Sequence, residues 1–270
     1  MRGAVACALL MLSACAGAKV VFPTGPAVPA PEALQWWQAA TEACRGAQTF
    51  LAEIRVRGNV GEEKLGSVTL QGAMTRRGEM RLLAVAPAGP PIFTLAGRTE
   101  ASTLTLPRER RVLTAPAAEI IAALVGVRLS PADWLDLLSG CGASAGADGG
   151  VRIGGVTIVT LKNGAGRVRL QPDGASQRVA AVDRPDLLVD YREFQGRWPS
   201  EARVTSHAGA AVAVNLNMTI SQIFVNTPTP ARTFALDVPA GYSPMTLDEL
   251  RALGPLGVPR VGGRSAGARP

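Results

Sequence analysis

Residues 50–57 have the sequence Phe-Leu-Ala-Glu-Ile-Arg-Val-Arg, which has an apolar side chain at every second position. The apolar set is Phe50, Ala52, Ile54 and Val56, and the positions between them are mostly charged. Because successive side chains of a β-strand point to opposite faces, this period indicates a strand with one face buried and the other in water. The stretch therefore predicts a sheet that covers a core on one side only.

The same kind of strand recurs directly after this stretch. Apolar runs are separated by turn residues such as Gly78 and Pro107. These runs lie at residues 67–75, 80–86, 92–96, 102–106 and 111–113. Together with the first stretch, they predict an antiparallel meander.

The second half of the chain has clearer hairpin patterns. Asn163-Gly164 lies between two apolar runs, and this dipeptide is the strongest short-range indication of a hairpin. The predicted strands lie at residues 151–162, 167–171, 177–182, 187–194, 202–206 and 211–220, after a loop at 142–150. About ten strands need a curved or closed sheet, so the predicted fold class is mainly β (α+β).

Four segments predict helices that interrupt or flank the strands. Ser130 and Pro131 start one helix that ends at Gly140, and Thr246 with Glu249 forms a capping box at the start of a short one. The other two show helical apolar spacing and lie at residues 32–47 and 116–125.

The N-terminus contains a short apolar run that ends close to a cysteine. Arg2 precedes this run, which covers residues 4–11, and Leu12-Ser13-Ala14-Cys15 follows it. The layout is typical of a secretory signal with a small-residue processing site, and its last four residues resemble the lipobox of bacterial lipoproteins. The run is shorter than the about 20 apolar residues that span a bilayer. We expect Cys15 to be lipidated and to begin the mature protein; the alternative is an ordinary signal peptide or membrane anchor with an incidental cysteine.

Composition divides the chain into four regions. The segment after Cys15 is rich in Gly, Pro and Ala, and the end of the chain is rich in Gly, Pro and Arg without any acid. A single all-β domain commonly has about 200–250 residues, so one domain accounts for the remainder. The predicted regions are a signal peptide at 1–14, a lipidated cysteine with a flexible linker at 15–31, the domain at 32–253, and a disordered basic tail at 254–270.

The formal net charge is +7, but aromatic residues make up only 4% of the chain. The arginines are scattered and mixed with acids, which favours a solvated basic face over a nucleic-acid site, and we expect no nucleic-acid partner. Of the four cysteines, Cys7 leaves with the signal peptide and Cys15 carries lipid. Cys44 and Cys141 could form a disulfide in an oxidising compartment, or they could be two buried free thiols.

Catalytic motifs lack the context that their chemistry needs. Residues 142–146 match the Gly-x-Ser-x-Gly nucleophile elbow, which requires a strand before it and a helix after it, whereas the predicted order here is the reverse. His207 is the only histidine and has no adjacent nucleophile, and zinc sites need clustered Cys or His. We therefore expect no catalytic residue, no metal and no cofactor other than covalent lipid on Cys15.

Several short motifs and the order of elements carry a resemblance to a known family. The order is a lipidated cysteine, a Pro-rich tether, an amphipathic helix, a meander, a helix pair and a second meander. The motifs are the helix pair that closes at Leu129-Ser130-Pro131 and Leu137-Leu138-Ser139-Gly140, Glu-Phe-Gln-Gly-Arg-Trp-Pro at 193–199, Ile-Phe-Val-Asn at 223–226, and Phe-Ala-Leu-Asp-Val-Pro-Ala-Gly at 234–241. Over residues 32–253 the chain resembles the LolA/LolB lipoprotein-carrier family.

The resemblance implies a curved, unclosed antiparallel half-barrel whose concave apolar face is covered by helices. Such a sheet with amphipathic helices can enclose acyl chains, and the alternative is a dry core. The residues expected to line an acyl cavity are Ile54, Leu70, Ile120, Leu124, Trp134, Leu138, Val214 and Leu216.

LolB-like members carry an exposed apolar residue on a loop between the third and fourth strands, which serves delivery to the membrane. The matching stretch is residues 86–92, which lacks an exposed leucine. The candidates for a membrane-delivery loop are Pro90, Ile92 and Phe93.

The leading hypothesis is a monomeric, non-enzymatic carrier or acceptor that binds membrane lipid and the acyl chains of lipoproteins or other lipids. A soluble LolA-like carrier is a candidate partner. The residue after the lipidated cysteine is Ala16 rather than Asp, which fits release of the protein to the outer membrane. The body of the protein is then expected on the periplasmic face of that membrane. The alternative is a lipid-anchored structural or assembly factor of the cell envelope that binds a protein partner.

Overall fold

The computed structural model of the chain describes residues 20–86, 90–142 and 145–257. The strands within these ranges are β1 (Val28–Pro29), β2 (Thr49–Val60), β3 (Glu63–Thr75), β4 (Glu79–Val85), β5 (Phe93–Arg98), β6 (Ser102–Leu106), β7 (Arg111–Ala115), β8 (Ala147–Ile153), β9 (Val156–Leu161), β10 (Arg167–Asp173), β11 (Ser176–Asp183), β12 (Leu187–Gln195), β13 (Trp198–Ser206), β14 (Val214–Val225) and β15 (Ser243–Pro244). The α-helices are α1 (Glu32–Gly46), α2 (Ala117–Val125), α3 (Pro131–Ser139) and α4 (Leu247–Leu253).

All of these strands belong to one sheet. Their order is β1-β8-β9-β10-β11-β12-β13-β14-β2-β3-β4-β5-β6-β7-β15, and the antiparallel pairing of β14 with β2 joins the two meanders. The sheet does not close, because β1 and β15 each pair on one side only. This confirms the predicted fold class, a mainly β structure with an unclosed antiparallel sheet and a few helices.

The inner face of the sheet supplies most of the core. On β2, the alternate residues Ile54 and Val56 are buried, and Val56 lies opposite Val68 of β3 and Met218 of β14. Apolar side chains from the helices belong to the same core cluster. No helix in the described ranges has the length and apolar character needed to cross a membrane.

The capped helices form where the sequence predicts them. The Asp133 backbone N–H donates to Ser130 Oγ at the start of α3, and the Ser130 N–H donates to the Asp133 carboxylate. Thr246 and Glu249 form the same reciprocal pair at the start of α4. Each capping box satisfies backbone donors that have no partner within the helix.

The glycine-rich segment after α3 differs from the prediction. The predicted loop at 142–150 contains the start of β8, and the predicted strand at 151–162 is two strands, β8 and β9. Gly154 and Gly155, both with positive φ, make the turn between them. A Cβ atom at Gly150 would lie 2.4 Å from that of Ala33, so the small residues of β8 let α1 lie directly on this strand.

The N-terminal segment packs on the outer face of the sheet, which is the face opposite the core. Phe22 is buried against Ile158 and Ala181, and the Arg167 guanidinium carbon lies 5.0 Å from the centre of its ring. Further along, β1 pairs with β8. The predicted flexible linker up to Pro31 is therefore wrong from residue 20 onward, because apolar side chains attach the segment to the sheet.

Candidate functional site

A small cavity lies between the inner face of the sheet and the helices, and its volume is about 40 Å³. Its lining is apolar throughout. On the sheet side it includes Val56, Val68, Leu70, Leu82, Val204 and Leu216. On the helix side it includes Ile121, Leu124, Leu129, Trp134, Leu137 and Leu256.

Strand and helix periodicity explain how these residues meet. Inward side chains on neighbouring strands stand directly opposite each other, as Leu216 and Val204 do on β14 and β13. Trp134 and Leu137 of α3 are three positions apart and therefore share one face of their helix. The cavity lies where these two surfaces do not interdigitate completely.

Four of the predicted lining residues reach the cavity: Leu70, Leu124, Trp134 and Leu216. The other four are also buried, but they pack elsewhere in the same core and do not line this space; these are Ile54, Ile120, Leu138 and Val214. Sequence reasoning missed the connection between α2 and α3, which contributes Val127 and Leu129, and it missed Leu256 after α4. The pattern could not find them, because none of the three belongs to a periodic segment.

The volume of the cavity decides what it holds in this conformation. A space of about 40 Å³ accommodates only a few water-sized molecules, since one water needs roughly 10–15 Å³ of such cavity volume. An acyl chain needs far more space, so it fits only when one wall moves outward.

Helix α3, which supplies Trp134 and Leu137 to the cavity, is attached to α1 by buried polar and covalent links. Cys44 at the end of α1 and Cys141 after α3 form a disulfide. Arg76 forms an ion pair with the buried Asp136 of α3 and also donates to the carbonyl oxygens of Cys44, at 2.9 Å, and Ala47, at 3.4 Å. These links hold both helices against the start of the β3–β4 turn.

Two further contacts hold α3 on the sheet. The Tyr191 hydroxyl donates to the Leu137 carbonyl at 2.8 Å, and burial, with the nearby Asp136 charge, raises the pKa of Tyr191 far above its ordinary value. Burial by itself acts to raise the pKa of Asp133. Its hydrogen bonds with Ser130 and its ion pair with Arg184 outweigh that effect, so the pKa of Asp133 lies below its ordinary value.

The other helical wall consists of α2 and Leu256, with α4 packed on α2, and this α2–α4 wall lacks buried links of that kind among the described residues. Here α2 packs on α4 and on residues 255–257. One backbone bond, from Ala117 N–H to the Thr99 carbonyl, attaches its start. The ion pairs of this wall, Glu119–Arg128 and Arg111–Glu249, lie at the surface. Outward movement of this wall would therefore break fewer links than movement of α3.

Comparison with solved structures identifies the fold. A LolA superfamily protein from Nitrosomonas europaea superposes with a TM-score of 0.51 at 10% sequence identity, over 77% of this chain and 98% of that chain. The fold is LolA/LolB-like. This confirms, at the level of the fold, the family resemblance that the order of elements indicated.

Two other solved structures match less closely. A DUF1329 family protein from Desulfovibrio piger has a TM-score of 0.47 at 13% identity, over 77% of this chain and 98% of that chain. A putative outer membrane lipoprotein-sorting protein domain from Vibrio parahaemolyticus has a TM-score of 0.43 at 13% identity, over 75% and 97%. No family model and no curated protein sequence matches the chain.

In this LolA/LolB-like fold, the predicted membrane-delivery loop connects β4 and β5. Pro90 is exposed, but Ile92 and Phe93 are only 6% and 2% exposed, and Phe93 lines the cavity. Ile92 and Phe93 therefore do not present an apolar side chain to a membrane, because they lie at the start of β5 and pack in the core. Residues 87–89 of the loop lie outside the described residues.

The remaining candidates for chemistry are His207, the motif at residues 142–146 and any cluster of metal-binding side chains. His207 Nε2 lies 2.7 Å from the Arg184 carbonyl and 3.3 Å from the Asp183 carboxylate, at a turn between strands. Of the nucleophile-elbow motif at 142–146, Ala143 and Ser144 lie outside the described residues. Within residues 20–86, 90–142 and 145–257, no group of three or more His, Cys, Asp or Glu side chains is placed to bind a metal ion.

Proposed function

We propose that the chain is a lipid-anchored, non-enzymatic carrier or acceptor of lipoproteins or other lipids in the bacterial envelope. The observation that supports this most is the wholly apolar cavity between the inner face of the sheet and the helices, in a LolA/LolB-like fold. Acyl chains are the ligand class that suits such a lining, because its side chains offer almost no polar group to satisfy a polar ligand.

Binding requires that the cavity opens. Movement of α2 and α4 away from the sheet separates apolar surfaces and breaks exposed ion pairs, whereas movement of α3 would break a buried ion pair and strain the disulfide. Each methylene group of an incoming chain that is buried contributes about 0.8 kcal/mol, so the burial of a long acyl chain offsets the cost of separating these apolar surfaces. Uptake therefore proceeds through the α2–α4 wall.

We further propose that Cys15, which lies outside the described residues, is lipidated and begins the mature protein. Its acyl chains would hold the protein at the periplasmic face of the outer membrane, since two chains give stable anchoring where one gives only transient binding. The protein would act there as a monomer, and a soluble LolA-like carrier would bring its cargo for insertion.

Native mass spectrometry of the full chain, produced in a bacterial envelope and released in mild detergent, tests this proposal. We expect a non-covalent acyl species in addition to the lipid on Cys15. The variant Val56→Leu adds one methylene group to the cavity lining, and we expect it to retain less lipid. The matched control Val189→Leu changes a buried residue outside the lining and should retain lipid as the parent does.

A protein that carries no acyl species, and takes none up from added lipopeptide, would refute the carrier proposal. The assembly-factor hypothesis would then lead, and a defined partner recovered at a one-to-one ratio would support it.

A further inference from the structure

One row of cross-strand neighbours runs over the outer face of the sheet from β9 to β2. Directly paired residues point to the same face, so the side chains of this row share one surface. The row consists of Ile158, Arg169, Ala181, Asp190, Arg203, Asn217 and Arg57.

Four arginines in or directly beside this row have no carboxylate partner among the described residues, and we call them the outer arginine patch: Arg55, Arg57, Arg169 and Arg203. Arg55 and Arg57 are exposed, and their side chains make no hydrogen bond or ion pair with any residue that the structure describes. Arg203 donates to the Asn215 side chain at 2.9 Å, and Arg169 Nε is buried without a partner in the described residues.

Acidic residues do not neutralise this patch. Asp190 belongs to the row, but it pairs with Arg192 at 3.1 Å. Glu53, Glu193 and Glu201 lie beside the patch on the same face, so four arginines face three acids that remain. The outer face therefore carries an excess of positive charge.

The N-terminal segment joins this same face. Phe22 packs on Ile158 and Ala181, which are members of the row, and Val21 is 70% exposed. Seven residue steps separate Cys15 from Phe22, so at about 3.3–3.6 Å per residue the two lie within about 25 Å of each other. A lipid on Cys15 would hold the outer face close to the bilayer that contains it.

An exposed aromatic side chain completes the surface. Phe224 of β14 pairs with Leu51, which shares a face with Glu53, Arg55 and Arg57 on β2, and it is 57% exposed. On protein segments that lie on a membrane surface, phenylalanine is among the side chains that enter the boundary between headgroups and acyl chains.

We propose that the outer arginine patch and Phe224 bind the surface of an anionic phospholipid membrane. Guanidinium groups recognise phosphate in a bidentate way, and the short tether lets the outer face come within the roughly 8 Å over which charges attract at physiological salt. The anchored protein then lies with its outer face on the bilayer, and its α2–α4 wall faces away from it. This inference rests on the proposed lipidation of Cys15 but not on the acyl cavity.

The accessibility of a single reporter cysteine tests the proposal. The lipidated full chain is placed in vesicles of phosphatidylcholine, with or without phosphatidylglycerol, and vesicle flotation measures anchoring. The reporter Thr219→Cys lies on the outer face between Glu201 and Arg55, and a water-soluble maleimide labels it while the disulfide protects Cys44 and Cys141. We expect phosphatidylglycerol to slow labelling by about fivefold or more, and salt at about 1 M to restore it.

Two matched controls separate docking of the outer face from effects of the vesicle composition or of the charge change on labelling in general. The reporter Gln35→Cys, on the exposed side of α1, should label at the same rate in both kinds of vesicle. Arg55→Glu with Arg57→Glu should restore the labelling of the Thr219→Cys protein, whereas Arg77→Glu with Arg108→Glu, the same charge change in exposed turns, should not.

Equal labelling of Thr219→Cys in the two kinds of vesicle would overturn the proposal. Slow labelling that persists after reversal of Arg55 and Arg57 would also overturn it, since another contact would then cover the face. Protein absent from the floated vesicles would refute anchoring at Cys15, whereas floated protein with equal labelling refutes the docking face alone.

Discussion

At the residue scale, Asp136 connects three parts of the molecule. It lies buried on α3, and its partner Arg76 also donates to carbonyl groups at the end of α1. Removal of one charge from a buried pair leaves the other charge without compensation, which costs more than the loss of the attraction itself. This carboxylate therefore links α3, which lines the cavity, to the end of α1.

We expect Asp136→Asn to lower the free energy of unfolding by about 3 kcal/mol, because the variant loses the buried ion pair with Arg76 while the arginine keeps its charge. Urea denaturation measures this change. The control is Arg98→Ala, which breaks an ion pair with Glu79 in which the arginine side chain is 77% exposed. It should cost less than about 1 kcal/mol, and equal losses in the two variants would contradict the role given to Asp136.

The Asp133 carboxylate makes stability depend on pH. Its pKa is lower in the folded protein than the ordinary value of 3.8, because Ser130 and Arg184 outweigh its burial. A lowered pKa adds stability above the unfolded-state pKa, and that stability is lost as the pH falls through the folded-state pKa. In urea denaturation from pH 5 downward, the free energy of unfolding should therefore fall less steeply with decreasing pH for Asp133→Asn than for the parent. Identical pH profiles would show that Asp133 is not the group responsible.

At the scale of elements, the helices around the cavity differ in how they are held. Polar side chains and the disulfide attach α3 to α1 and the sheet, whereas α2 and α4 rely on apolar contacts and exposed ion pairs. Exposed pairs contribute little, with a typical value below about 1 kcal/mol. Opening should therefore involve α2 and α4 together while α3 stays in place.

Amide hydrogen exchange of the lipid-free protein checks this difference. We expect the amides of α2 and α4 to exchange faster than those of α3, because local opening breaks fewer links there. Bound lipopeptide should change the exchange of α2 and α4 most. Equal protection of the three helices from exchange would contradict an α2–α4 wall that opens more readily than α3.

At the scale of the whole molecule, one continuous sheet carries both meanders, and the disulfide connects the N-terminal helix to the middle of the chain. The two cysteines are 97 residues apart in sequence. A crosslink across so long a loop restricts the unfolded chain, for which the chain-entropy model gives about 4–5 kcal/mol of stabilisation. The sequence left open whether Cys44 and Cys141 are bonded or free.

Reduction of the disulfide should lower the free energy of unfolding by about 2–5 kcal/mol. Denaturation of the parent with and without a thiol reductant measures this, and Cys44→Ser with Cys141→Ser serves as a second form without the bond. The double variant should not respond to reductant. A parent protein whose stability is the same under both conditions would contradict the expected contribution.

The alternation of apolar residues on β2 and the capping residues Ser130 and Thr246 were sufficient to predict strands and helices near their observed positions. These features depend on the local backbone and on nearest neighbours, so they can be inferred from a short window of sequence. The Gly154-Gly155 turn was also visible in the sequence, but the apolar run around it hid the boundary between β8 and β9.

Other features depended on residues far apart in the chain. Phe22 packs on the outer face because Ile158 and Ala181 leave an apolar surface there, and Ile92 is buried because β5 pairs with β4. Neither outcome follows from the local sequence, which predicted a free linker and an exposed loop.

The sequence by itself determined that the chain has an antiparallel sheet with one apolar face, capped helices and a basic polar face, because each property follows from residue type and spacing. Only the tertiary structure decided that β14 pairs with β2, that the N-terminal segment lies on the arginine-bearing face, and which inward residues surround the cavity. The physical reason is that strand pairing and packing volume depend on all contacting side chains at once, so a void appears only where facing surfaces fail to interlock.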